Sequence, residues 1–221
     1  MARAVQIILY GLLAYFSYLL LLISLQYLPF KSDVAFLKIK QDELAISYYP
    51  LAFKIHVYTS FFVLLAGFTQ FSERIRKRYN KVHKTMGKFY VAVVLAFSST
   101  SGFIIGIHAN GGVFSKIAFV VLSLLWFWFT YRAYTSIRIG DLKAHKNFMI
   151  RSYALALSAI SLRLFKWILV LLFEPAPMDV YRIVAWLGWM ANLAIAELIL
   201  VVLARKAPGG PLAKEVSFTV N

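Results

Sequence analysis

Four imidazoles are the side chains in this sequence best suited to chemistry. They are His56, His83, His108 and His145, each near the end of a long apolar stretch. Neutral imidazole is a good ligand for haem iron and for borderline metals. The 221 residues contain no cysteine, which excludes disulfides, iron–sulfur clusters and thiolate metal sites. His56 and His108 fall on one side of the expected membrane, and His83 and His145 on the other. Two layers of two histidines suit bis-imidazole ligation of two b-type haems. His83 and His108 are 25 residues apart. At about 100° per residue an unbroken helix places both on one face. The same spacing rises about 37 Å, nearly the bilayer with its headgroups, which is far for two haems in electron contact. One haem or metal site, or four interfacial histidines with local hydrogen bonds and no cofactor, therefore stays open beside the two-haem reading.

Charge inside an apolar span is costly and points to function or to a staple. Glu197 is the one carboxylate well inside an expected span, and Arg151 lies at a similar depth, so the two are expected to pair. Arg163 lies about 24 Å along its helix from Asn147, and Asn192 is placed to hydrogen-bond it. This set reads either as a staple between the last two helices or as a polar site. In the second case Arg151 and Arg163 hold an anionic group such as a haem propionate, a quinone head or a lipid phosphate. The sequence has no GxxxxGK loop, no HExxH and no GxSxG. Acid–base catalysis is unsupported with a single intramembrane carboxylate, and whether the chain is an enzyme stays open.

The elements that carry these residues are set by hydropathy. The chain is 61% hydrophobic with mean hydropathy +0.72, where soluble domains are about 45–50% apolar. Six runs are long enough to cross a bilayer: 4–28, 54–71, 83–109, 115–136, 147–173 and 180–204. The expected fold is all-α, one transmembrane domain of six helices over 1–221 with a mobile tail at 205–221. Arg3 before a long apolar run, with no small-residue cleavage site after it, reads as a retained signal-anchor. Net charge is +15. With the N-terminus inside, 15 Lys and Arg fall on the inner side and 6 on the outer. The excess is read as positive-inside topology rather than nucleic-acid binding, with both termini cytoplasmic.

The densest basic segment, 73–90, and the shorter one at 138–146 lead into similar sequences. Residues 83–90 read HKTMGKFY, and residues 145–154 read HKNFMIRSYA. Each has His-Lys, a Met, a basic residue and then Tyr, with a one-residue slip. Helices 2–3 and 4–5 are thus candidates for a parallel repeat, with chance similarity as the rival. A true repeat brings His83 and His145 face to face.

These motifs, with Gly67-Phe68-Thr69-Gln70-Phe71, Arg78, Gly106-Ile107-His108, Arg132-Ala133-Tyr134 and Arg163, resemble a family of bacterial predicted membrane proteins filed as a domain of unknown function. The usual form of its motifs is similar to LHRxLGRxY and HRxWMIRSYAL. Lys84, Lys146 and Phe148 depart from that form. The resemblance covers helices 2 to 6 and implies a multi-helix membrane protein without an assigned activity. Histidine placement alone is also similar to that of the transmembrane ascorbate-dependent b-type cytochromes. The leading expectation is a haem-b-binding electron-transfer protein of the bacterial inner membrane. His83 and His145 are the iron ligands first in line, with His56 and His108 as an outer pair. Its partners are the lipid bilayer and a quinone or a membrane protein complex. The alternatives are a non-catalytic subunit or scaffold of a larger complex, and a small-molecule or lipid transporter lined by Arg151, Arg163, Asn192 and Glu197.

Overall fold

A computed structural model describes residues 2–205; the tail from 206 onward, with Lys206 and Lys214, lies outside the described residues. The regular structure is helical: α1 (Ala2–Leu25), α2 (Gln41–Leu44), α3 (Tyr49–Gln70), α4 (Glu73–Arg78), α5 (Asn80–Val93), α6 (Ser99–Ile107), α7 (Gly112–Arg138), α8 (Leu142–Ala156), α9 (Ser158–Phe173) and α10 (Pro177–Arg205). A 3-10 turn, Ala35–Ile39, precedes α2, and a π-helical turn, Val94–Ser98, joins α5 to α6. Helix is the way a single segment can satisfy its own backbone in hydrocarbon. Four helices are long and apolar enough to cross a membrane: α3, the rod Asn80–Ile107, α7 and α10. The pair α8 and α9, bent by 42°, makes a fifth candidate. In α1 the apolar run among the described side chains is Tyr10–Leu25, so four or five candidates stand where six spans were expected.

Local chemistry moved several boundaries. α3 starts at Tyr49 because Pro50 sits in its first turn, where a missing N–H costs no bond. α8 starts at Leu142 because Asp141 caps it, accepting from the Ala144 N–H at 2.9 Å. The expected continuous helix over 147–173 is broken at Leu157. No proline or glycine causes that break. Instead Asn192 of α10 donates to the Ala154 carbonyl at 3.1 Å before it and accepts from the Ser161 hydroxyl at 2.8 Å after it. A side chain that takes a helix carbonyl is a recognised cause of a bend.

We call the end carrying α4 and the start of α8 the basic end. The core nearest it packs Val63 and Leu64 of α3, Tyr90 of α5, Trp126 of α7, Met149 and Tyr153 of α8, and Trp189 of α10. Within it four polar groups close a ring. The Trp126 N–H points at the Tyr90 hydroxyl (3.5 Å), Tyr90 contacts Ser152 (2.8 Å), Ser152 contacts Thr130 (2.7 Å), and Thr130 donates to the Trp126 carbonyl (2.7 Å). Thr130 has one hydrogen, so Ser152 must donate to it, and Tyr90 to Ser152. Every hydrogen is used and the chain ends on a carbonyl, so this is a pin joining α5, α7 and α8. Tyr153 lies against Gly67, where a Cβ would sit 1.8 Å from its ring.

At the opposite end the α1–α3 connection is pinned by Lys40, which is 1% exposed. Its ammonium pairs with Glu43 at 2.7 Å and donates to the His108 carbonyl at the end of α6, where the helix dipole is negative. Burial pushes the Glu43 carboxyl up; its bond to Lys40, with the charges of Lys40 and His108, outweighs this and leaves it below its ordinary value.

Two outcomes follow for stability in detergent. Gly67→Ala should lose about 1–3 kcal/mol through overpacking against Tyr153, while Gly11→Ala, with nothing within 4 Å, should be neutral or slightly stabilising; thermal unfolding compares them. For the Lys40–Glu43 pin, a depressed carboxyl stabilises the fold above its ordinary value, and that contribution is lost as pH falls through the folded value. The margin of wild type over Glu43→Gln should therefore be constant near neutrality and shrink below about pH 4. A margin independent of pH would contradict the assignment.

Candidate functional site

The basic end collects most of the motif residues. His83 enters in the first turns of α5, after α4, which Ser72 caps by accepting from the Ile75 N–H at 3.4 Å. Gln70, at the end of α3, donates to the His83 carbonyl at 3.1 Å and to Thr69 at 3.0 Å, and lies over Gly87. His145 enters one turn into α8, and its Nδ1 donates to the Ala133 carbonyl of α7 at 2.8 Å. That bond fixes the tautomer and leaves the Nε2 lone pair uncommitted. The two rings are within electrostatic reach of one another. His83 Nδ1 is buried and lacks a hydrogen bond of good geometry, and the Thr69 carbonyl at the end of α3 is near enough to attract a proton on the ring. An orphaned buried polar atom costs about 1–3 kcal/mol unless something answers it. The tyrosines that follow in each motif are also neighbours, with Tyr90 and Tyr153 ring centroids 6.4 Å apart.

Deeper along α8, Arg151 meets Glu197 of α10 through two parallel bonds, Nε to Oε1 at 2.5 Å and Nη2 to Oε2 at 2.7 Å. Phe129 and Phe148 flank the guanidinium, with centroids 6.0 and 5.7 Å away. This is the expected pair, in the bidentate form that arginine favours.

The opposite half holds the other imidazoles, and they stand apart. His56 of α3 fits against Gly102, where a Cβ would lie 3.0 Å from the ring. Its Nδ1 donates to the Ser98 carbonyl at 2.9 Å. That carbonyl belongs to the π turn, where the normal ladder is shifted and carbonyls are released. Thr59 and Ser98 hydroxyls meet beside it at 2.9 Å. His108 lies beyond the end of α6, its Nε2 3.0 Å from the Tyr48 hydroxyl and its ring edge-on to Tyr49 at 5.5 Å. Tyr49 and His56 are seven residues apart on α3, so His56 lies about 10 Å deeper.

Two expectations therefore change. His56 and His108 are not an opposed pair, because two helical turns separate them. His83 and His108 do not share a face, because the π turn adds a residue and rotates everything beyond it by about 100°. Asn192 does not bond Arg163; it is spent on the bend, and Arg163 donates to the Ala159 carbonyl at 2.6 Å. Sequence reasoning missed Ser98, the Ser152–Thr130 contact and Lys40. A Lys–Glu pair three residues apart was a visible signal for Lys40; a π turn has no comparable signature. Among the described residues no group of three or more His, Cys, Asp or Glu is placed to hold a metal ion.

Apolar helices of membrane-crossing length around a buried polar core define a multi-pass membrane protein in contact with the lipid bilayer. The chain belongs to the family described as predicted membrane protein (DUF2306), which it matches over residues 53–200. No curated protein and no solved structure matches it.

The Arg151–Glu197 pair gives a test of its own. Arg151→Met or Glu197→Met alone strands one charge; Arg151→Met with Glu197→Met strands none. The double variant should be less destabilised than the sum of the singles, with a coupling on the order of 1–2 kcal/mol, since Glu197 is 47% exposed and intramembrane couplings are modest. Additive losses in thermal or denaturant unfolding would show that the two do not interact.

Proposed function

We propose that the basic end binds haem b between His83 and His145 and that the protein carries single electrons within or across a membrane. The observation that supports this is the condition of the two rings. His145 is held by a carbonyl at its far nitrogen, as metal-binding histidines commonly are. His83, within reach of it, carries a buried ring nitrogen without a well-formed hydrogen bond, with the Thr69 carbonyl competing for its proton. Haem supplies one-electron chemistry when bound. The chain supplies the two imidazoles, the Ala133 carbonyl that orients the His145 ring, the Gln70 bond that fixes the His83 backbone, and an aromatic wall. Arg151 is already engaged by Glu197, so its remaining N–H groups are what it offers a propionate.

The rest of the reading follows from charge and hydropathy. α1 serves as a sixth span, the basic end faces the cytoplasm of a bacterial inner membrane with both termini, and a quinone or a neighbouring membrane complex is the electron partner. The nearness of Tyr90 and Tyr153 supports a parallel repeat of helices 2–3 and 4–5. The alternative of a non-catalytic subunit or scaffold is favoured by one observation: Arg151, Glu197, Asn192 and His108 are each answered by another group of the same chain.

The protein purified after expression with haem supplied should show a b-type α-band in a dithionite-minus-air-oxidised spectrum. The band should disappear in His83→Ala and in His145→Ala and survive in His56→Ala and His108→Ala. Absence of the band in wild type would end the haem reading and leave the scaffold.

A further inference from the structure

The bend at Leu157 has a consequence on the far side of the bundle. α8 packs along α7, but α9 swings out of that line. α9 lies against α10 and touches α1, and its backbone makes no close approach to α3 or α6 among the described residues. α1 packs on both α3 and α9 and closes the gap from the outside. Into this cleft come two of the polar groups that the rest of the fold does not use. Arg163 of α9 sits beside this gap with its side chain exposed, and Tyr27, which follows α1, lies within its electrostatic reach. Its one bond among the described residues is to Ala159 of its own helix, and no carboxylate meets it. His56 of α3 lies within its electrostatic reach. His56 Nδ1 is tied to Ser98, and its Nε2 is bonded to nothing among the described residues. One turn along α3, Ser60 buries a hydroxyl that also has no partner.

A guanidinium at this depth carries a penalty of about 2.5–3.5 kcal/mol on insertion scales, and such a residue ordinarily pairs. Here no acid is offered by the described chain, and the side chain is exposed. One positive charge in a low-dielectric cleft calls for one negative charge, since a dianion would exchange one uncompensated charge for another. The planar fork of Arg163 matches an oxyanion with two free oxygens. The walls beyond it are apolar helices. We infer that the cleft between α1, α3 and α9 binds the monoanionic oxyanion head of an amphiphile, a carboxylate or a phosphodiester. Arg163 is the charged anchor, and His56 and Ser60 are its neutral polar walls. This site is separate from the imidazole pair at the basic end and does not depend on a haem there.

Binding of tritiated hexadecanoate, and of phosphatidylglycerol against phosphatidylcholine, to the full chain in non-ionic detergent tests this. At least one anionic probe should bind at one per chain and be displaced by its own unlabelled form but not by its neutral counterpart, hexadecanol or phosphatidylcholine. Retention of hexadecanoate without phosphatidylglycerol identifies a free carboxylate, and the converse identifies a phospholipid head. Arg163→Gln should weaken binding by about tenfold or more. Arg163→Lys should restore part of it, and Lys166→Gln, exposed three residues further along α9, should leave it unchanged. His145→Ala should also leave it unchanged, which separates this site from the haem reading. If Arg163→Gln does not fold, competition on wild type between the bound anion and its neutral counterpart, hexadecanol or phosphatidylcholine, decides. Equal displacement by the neutral counterpart, equal loss with Lys166→Gln, or no binding of either anionic probe would overturn the proposal.

Discussion

Hydrocarbon offers no hydrogen-bond partner, so every polar group in the span must be answered by another group of the chain or of a ligand. Most of this structure is an arrangement for doing so. The ring through Trp126, Tyr90, Ser152 and Thr130 assigns each hydrogen and ends on a backbone carbonyl. Arg151 and Glu197 cancel one another's charge through two bonds. Lys40 buries an ammonium between a carboxylate and a helix end. These contacts join helices that are distant in sequence, so they set which helices are neighbours as well as how tightly they pack. Their satisfaction is also what makes the remaining polar groups informative.

Besides Ser17, Ser115 and Trp189, which each leave one buried polar atom unpaired, the unsatisfied groups that matter here fall in two places. At the basic end they are the His83 ring and the free nitrogen of His145. In the opposite half they are Arg163, Nε2 of His56 and the Ser60 hydroxyl. The two places are linked mechanically by α8 and α9. Asn192 holds the bend, the bend sends α9 away from α3, and the resulting cleft receives Arg163. A straight helix over 147–173 would have carried Arg163 along the line of α8, against the bundle. Asn192 thus serves the site without touching it.

Much of the fold was legible because hydropathy in membrane proteins answers a strong constraint. All six apolar runs are helical, and Arg151 with Glu197 could be paired from depth alone. The likeness of two short motifs is what suggested pairing His83 with His145. What was not legible depends on departures from regular helix. The π turn at Val94–Ser98 leaves no mark in composition, yet it releases the carbonyl that orients His56 and it rotates the helix before His108. The break at Leu157 lacks proline and glycine, and its cause is an asparagine thirty-five residues away on another helix. Phase arguments that assume one continuous helix fail at both places, and the shared face expected for His83 and His108 failed with them.

The central claim is that the histidines form one facing pair, at the basic end, and not two. The natural absence of cysteine makes this directly measurable with a short-armed bifunctional thiol reagent on chains carrying two introduced cysteines. His83→Cys with His145→Cys should cross-link within the chain in native membranes, and His56→Cys with His108→Cys should not. Cross-linking of the second pair, or failure of the first while each single cysteine reacts with a monofunctional reagent, would contradict the account.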